Sequence, residues 1–96
     1  MYARLLTFNI GPGGRDLATG MADEAYAMVK AMGGFISATY LVIDETAGDY
    51  GSLTVWNSHA DADAAADVLR PWMMEKAGDR LTAPPAIHTC EIYQPK

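Results

Sequence analysis

Two polar side chains stand out because each interrupts an otherwise apolar, strand-like segment. Asn9 lies near the end of the first such segment, and His88 alternates with Cys90 and Ile92 in the last one. A histidine with an ordinary pKa of about 6.5 is able to act as a general base toward a phenol, and an amide is able to orient a substrate oxygen. We predict Asn9 and His88 as catalytic residues. The alternative for both is structural, since an Asn beside a Gly-Pro-Gly-Gly turn often bonds the loop backbone.

Large aromatic and apolar side chains are the candidates for the walls of a binding pocket. Trp56 and Trp72 each carry a flat ring with one N–H donor, which suits stacking on a planar aromatic molecule. Tyr40 is able to donate its phenol to a substrate carbonyl, and Met28 and Met73 supply adaptable apolar surface. We predict these five as substrate-binding residues. The alternative is that they fill the core or a subunit interface.

The composition excludes several classes of partner. The net charge is −5 and the 7 Lys and Arg residues form no stripe, so nucleic acid is not an expected partner. A lone Cys and scattered His residues do not make a zinc site, so no metal is expected. The single Cys90 favours a reducing compartment, and no uncharged apolar run approaches the roughly 18 residues of a membrane span. We expect a cytoplasmic protein that makes no membrane contact.

Two helices are predicted to position these side chains. Apolar residues at spacings of three and four predict a helix over residues 15–32. Asn57 or Ser58 is predicted to cap the second helix, and an Asp three residues after Ser58 makes a capping box. Pro71 is expected to kink this helix or to restart it as a short helix over residues 71–77.

Four apolar segments are predicted to form strands, at residues 2–10, 35–43, 51–56 and 86–93. Right-handed crossovers then put both helices on one face of a single sheet. The predicted fold is α+β: a ferredoxin-like βαββαβ domain over residues 1–96, with a four-stranded antiparallel sheet. The strands are apolar on both faces, as at the neighbours Leu5 and Leu6. We therefore predict a homodimer formed through the face that the helices leave bare.

One charge falls inside the first strand. Arg4 is expected either to extend to the edge of the sheet or to pair with an acid such as Glu91 across strands. The acidic residues Asp61, Asp63 and Asp67 are interpreted as a solvated helix face.

The order of elements, together with residues 52–62 (SLTVWNSHADA), resembles the antibiotic-biosynthesis-monooxygenase-type domains of the dimeric α+β barrel superfamily. As a layout the resemblance covers nearly the whole chain. As a motif it covers only this stretch, a strand ending in Trp, a two-residue cap and an Ala-rich helix. The resemblance implies two sheets packed face to face in a dimer, each subunit keeping a pocket between its helices and sheet. Members differ in activity: some oxygenate polycyclic aromatic polyketides without metal or flavin, some oxidise quinols, and some degrade haem.

Haem degradation is not expected, because Ala65 and Glu75 stand where the haem-degrading members carry Trp and His. The resemblance implies a cofactor-independent monooxygenase-like protein for a small aromatic or quinol-type substrate. His88 or Asn9 would hold or deprotonate a phenol, whose anion reduces dioxygen directly between apolar walls. One alternative is a non-catalytic dimer that binds a small apolar ligand or serves in assembly. Another is an isomerase or lyase with His88 as its base.

Overall fold

The computed structural model describes all 96 residues and contains one sheet and two long helices. The elements are β1 (Tyr2–Asn9), α1 (Arg15–Val29), β2 (Phe35–Asp44), β3 (Asp49–Trp56), α2 (His59–Ala77), a 3-10 turn (Gly78–Arg80) and β4 (Ala86–Glu91). The strand order is β2-β3-β1-β4, and every neighbouring pair is antiparallel. The predicted α+β ferredoxin-like fold is confirmed. Neither helix combines the length and apolarity needed to cross a bilayer.

Helix α2 begins at the predicted cap and continues past the predicted break. The Ser58 hydroxyl accepts a hydrogen bond from the Asp61 amide at 3.1 Å and donates to the Asp61 carboxylate at 2.9 Å. The expected restart at Pro71 is wrong, because α2 is one helix with Pro71 inside it. Proline removes one N–H from the helix ladder. Leu69 before it and Met73 after it are both buried, so both parts of the helix stay packed against the sheet.

Strand register decides which side chains share a face of the sheet. Arg4 in β1 lies opposite Thr54 in β3, and both are buried beneath the helices. Leu5, the next residue, lies opposite Leu53 in β3 and His88 in β4. Successive side chains of a strand point to opposite faces, so this second row belongs to the face that the helices leave open.

The open face of the sheet is partly apolar. Leu53 at its centre is 38% exposed, and the edge strand β2 exposes Leu41 and Ile43 on this face, whereas Val42 lies opposite Tyr50 on the helix side. These large side chains are mixed with the polar residues Thr7, Thr39 and His88, which the register places near them.

Two buried clusters occupy the space between helices and sheet. The Trp56 cluster consists of Val29, Trp56, Ala62, Ala65 and Leu69. The Tyr50 cluster consists of Ile10, Ala18, Met21, Tyr50, Met73 and Ala77. The half-buried Trp72 packs against both clusters.

Candidate ligand-binding site

A cavity of about 430 Å³ opens between the two helices and the sheet. Its volume falls within the roughly 300–1,000 Å³ of small-molecule sites. Hydrophobic residues make up 16 of the 23 that line it, so the walls suit an apolar ligand. The apolar walls include Leu6, Phe8 and Ile87 from the sheet, Met21 and Val29 from α1, and Leu69, Trp72, Met73 and Met74 from α2.

Small side chains on α1 explain why space remains here. Ala18, Ala22 and Ala25 recur at spacings of four and three, which places them on one face of the helix, and all three line the cavity. Large residues at these positions would fill the space. The same face of α1 thus anchors the helix through Met21 and leaves room beside it.

Arg4 lies at the cavity wall without a partner. Its side chain is 3% exposed, and its Nε atom has no hydrogen-bond acceptor. None of the three ion pairs of the structure includes it. Burial lowers the pKa of Arg4, and the positive charge of Arg70 lowers it further. The guanidinium still carries its charge at neutral pH, because an arginine side chain is not deprotonated in proteins.

Neither expected fate of Arg4 occurs. Strand β1 is flanked by β3 and β4, so the sheet edge is too distant for the side chain to reach water there. Glu91 lies opposite Tyr2 rather than Arg4, and it is exposed. The prediction of an Arg4–Glu91 pair is therefore wrong.

Further polar groups face the same cavity. The Tyr50 hydroxyl is buried and has no hydrogen-bond partner. Burial raises the pKa of Tyr40, and Tyr26 raises it further, so Tyr40 keeps its phenolic proton across the neutral range. Arg70 lines the cavity from α2 and is exposed to solvent. Arg4 and Arg70 are the only charged residues that line the cavity, since no Asp, Glu or Lys does. Its interior is therefore positive, although the chain carries a net charge of −5.

The structure places the predicted substrate-binding residues in two groups. Tyr40, Trp72 and Met73 line the cavity. Trp56 and Met28 do not: Trp56 is 0% exposed at the centre of its cluster, and Met28 packs against that cluster. The Trp56 indole N–H donates to the Thr54 hydroxyl at 2.9 Å, which leaves no free donor for a ligand.

Both polar atoms of the Asn9 side chain form hydrogen bonds within the chain. Its amide nitrogen donates to the Ala47 carbonyl at 2.9 Å and to the Asp49 carboxylate at 2.6 Å. Its amide oxygen accepts from the Gly11 N–H at 2.9 Å and from the Thr82 hydroxyl at 2.8 Å. This arrangement matches the structural alternative for Asn9.

His88 is exposed on the open face, opposite Leu5. Neither His88 nor Asn9 lines the cavity, so the structure does not bring the two predicted catalytic residues together. A catalytic role for either stays a prediction. No group of three or more His, Cys, Asp or Glu side chains is arranged to hold a metal ion.

Sequence reasoning missed three of the polar residues that line the cavity. Arg4, Leu6 and Phe8 are every second residue of one strand, so strand alternation alone puts their side chains on the same face. Tyr50 lies opposite Phe8, but only the register between β1 and β3 reveals that. Arg70 directly follows the buried Leu69, and the sequence marks it only as a surface charge.

Comparison with protein-family models gives no match, and comparison with curated protein sequences gives none either. A Nitrosomonas europaea protein of unknown function, NE2512, has a similar structure: TM-score 0.84, 19% identity, 99% of this chain and 91% of that one covered. A putative antibiotic biosynthesis monooxygenase from Bordetella bronchiseptica matches with a TM-score of 0.77 at 12% identity, and the match covers 97% of both chains. A monooxygenase from the Streptomyces coelicolor gene ActVA-Orf6, in complex with nanaomycin D, matches with a TM-score of 0.76 at 19% identity. The match covers 99% of this chain and 89% of that one. The chain thus has the α+β fold of antibiotic biosynthesis monooxygenase proteins, as the resemblance predicted.

Proposed function

We propose that this protein is a cofactor-independent, monooxygenase-like protein that acts on a small aromatic or quinol-type substrate. The observation that carries the proposal is the apolar cavity between helices and sheet, whose few polar groups include the unpartnered Arg4 and Tyr50. Trp72 offers a flat ring on the wall, suited to stacking on an aromatic system. The similar Streptomyces coelicolor protein is a monooxygenase with nanaomycin D bound, which favours an aromatic ligand here.

The cavity suits a reaction that starts from a substrate anion. An anthrone-type substrate loses a proton to solvent, and the anion gives one electron to dioxygen. The resulting radical and superoxide join through a new C–O bond, the peroxide anion takes a proton back from solvent, and the hydroperoxide loses water. One CH2 group and one O2 thereby become one carbonyl and one water. The Arg4 guanidinium would stabilise the anion and the Tyr50 hydroxyl would donate to its oxygen, within walls that exclude water.

Oxygen consumption tests this proposal directly. Purified protein is mixed with an anthrone or a naphthoquinol, and O2 uptake is followed with an electrode while the quinone product is quantified. We expect uptake above the spontaneous rate, with Tyr50→Phe and Arg4→Met each reducing it. Tyr93→Phe is the matched control, because Tyr93 is 76% exposed and outside the cavity. Uptake no faster than autoxidation for every substrate of this class would remove the oxygenase assignment.

A non-catalytic ligand-binding protein is the second candidate. The observation that favours it is that the cavity wall contains no Asp, Glu, His, Cys or Lys, and so lacks an ordinary general base. Saturable binding of an aromatic compound without any O2 uptake or chemical change would favour this candidate over the first.

We also propose that two copies pair through the open sheet face, in the reducing cytoplasm that the single thiol of Cys90 suits. The exposed Leu53 at the centre of this face supports the pairing. Sedimentation at micromolar concentration is expected to give twice the 10.3 kDa chain mass. Leu53→Glu should yield monomers, whereas Val68→Glu, on the half-exposed surface of α2, should not. A wild-type monomer would contradict the pairing.

A further inference from the structure

We propose that the cavity selects anionic ligands: an aromatic ring system bearing an oxyanion, either carboxylate or phenolate, that binds Arg4 with Arg70 beside it. The inference rests on the proposed function, because it takes the cavity as the ligand site, and it specifies the class of ligand. Its basis is the charge of the cavity wall rather than the apolar surface that supports the aromatic ligand.

The first step concerns the missing partner of Arg4. Buried charges in proteins are paired or bound to an ion of opposite sign, because desolvation penalises an isolated one. Arg4 is 3% exposed, and its Nε N–H has no acceptor. The chain supplies no carboxylate to it, and the nearest acidic residue by register, Glu91, lies opposite Tyr2. None of the ion pairs of the chain includes Arg4, so a counter-ion for its guanidinium would come from outside the chain.

The second step concerns the other groups that face Arg4 across the cavity. The lining residues of α1 and β4 include no titratable side chain. Strands β2 and β3 contribute the phenols of Tyr40 and Tyr50, and α2 contributes Arg70. The charge of Arg70 lowers the pKa of Arg4, so the two guanidinium groups that line the cavity repel each other. An anion bound near both would relieve that repulsion, and a neutral ligand would not.

Equilibrium binding of two matched probes tests the inference. Naphthalene-2-carboxylate and naphthalene-2-carboxamide have the same ring and nearly the same size, and differ in charge. Calorimetric titration under nitrogen keeps binding separate from any reaction with dioxygen. We expect the carboxylate to bind about tenfold to hundredfold more tightly, the usual effect of a hydrogen bond to a charged group.

Three arginine variants locate the preference. Arg4→Met keeps a long apolar stem and should abolish the preference while carboxamide binding persists, which also shows that the cavity is intact. If Arg4→Met fails to fold, Arg4→Gln takes its place. Arg70→Gln should reduce the preference in part. Arg80→Gln removes an exposed charge outside the cavity and should leave the preference unchanged.

A third probe separates the two sources of oxyanion. The absorbance of 2-naphthol distinguishes the phenol from the phenolate, and we expect the bound molecule to ionise at lower pH than the free one. A preference for the carboxylate without this shift identifies the ligand as a carboxylate and supports the inference in that form.

Three outcomes would overturn the inference: equal affinity for the two naphthalene probes, a preference that survives the replacement of Arg4, or no binding of either probe. Only the last also removes the cavity as a ligand site, and with it the proposed function. A charge preference in a protein that consumes no O2 would instead support this inference and remove the oxygenase.

Discussion

Trp56 and Arg4 occupy the same face of the sheet, one row apart, and both are almost completely buried, at 0% and 3% exposure. They differ in what surrounds their polar atoms. The only polar atom of the Trp56 side chain is bonded to Thr54, whereas the Arg4 Nε has no partner. The comparison teaches that burial alone does not separate core from site. A buried side chain whose hydrogen bonds are complete belongs to the core, whereas one that lacks a partner needs another explanation, which for Arg4 is the proposed anion.

The alanines of the two helices repeat this contrast. Ala62 and Ala65 of α2 are at most 1% exposed, because they let the helix approach the Trp56 ring closely. Ala22 and Ala25 of α1 are only half-buried and border open space. The same residue type closes one end of the layer between helices and sheet and keeps the other end open.

Trp56→Ala is the largest expected effect. Removing a fully buried indole leaves a cavity in the Trp56 cluster and should lower the free energy of unfolding by about 3–5 kcal/mol. Urea denaturation followed by circular dichroism measures it. The matched variant Trp72→Ala should cost less, because Trp72 is half-buried beside existing space. A greater cost at Trp72 would reverse the comparison.

Arg4→Met should change the free energy of unfolding in the opposite direction. Replacing an unpartnered buried charge with an apolar chain of similar length should raise the free energy of unfolding by about 1–3 kcal/mol in the absence of ligand. The same denaturation assay applies. Arg70→Met, at an exposed position, should change stability by less than about 0.5 kcal/mol. A destabilised Arg4→Met protein would mean that Arg4 has a structural partner.

Ser58→Ala tests whether the two regions are independent. The cap precedes the first turn of α2, which covers Trp56, so its loss should cost about 1 kcal/mol of stability. Ser58→Gly should lower stability by only a few tenths of a kcal/mol. Naphthalene-2-carboxylate affinity, measured by titration, should stay at the wild-type value in both. A parallel loss of affinity would show that the Trp56 end and the cavity act as one unit.

The smallest effect is spectroscopic. Each of Trp56→Phe and Trp72→Phe leaves one indole, so the fluorescence of either region can be followed alone. A bound naphthalene probe should change the emission of Trp72, which lines the cavity, and barely that of Trp56. Equal responses would place the ligand elsewhere. Trp72→Phe itself should change stability by less than about 1 kcal/mol.

The fold could be predicted because local patterns determine it. The Ser58 cap, the apolar spacing of α1 and the four strand segments each depend on residues close in sequence. The site depends on register, which sequence does not give: a one-residue slip moves a side chain to the other face. His88 and Ile87 illustrate this, since adjacent residues lie on the open face and in the cavity wall. For the same reason the sequence could not show that Arg4 lacks an acidic partner: only the register reveals that Glu91 lies opposite Tyr2.

The hydrogen bonds of Asn9 have a consequence for folding kinetics. One side chain joins the end of β1 to the β2–β3 loop at Ala47 and to Thr82, 73 residues away in sequence. These bonds require the hairpin and the chain after α2 to be in place, so they should form after the folding transition state. Losing them would then speed unfolding and leave the folding rate almost unchanged. The side chain that the sequence suggested for catalysis would instead determine how long the folded state persists.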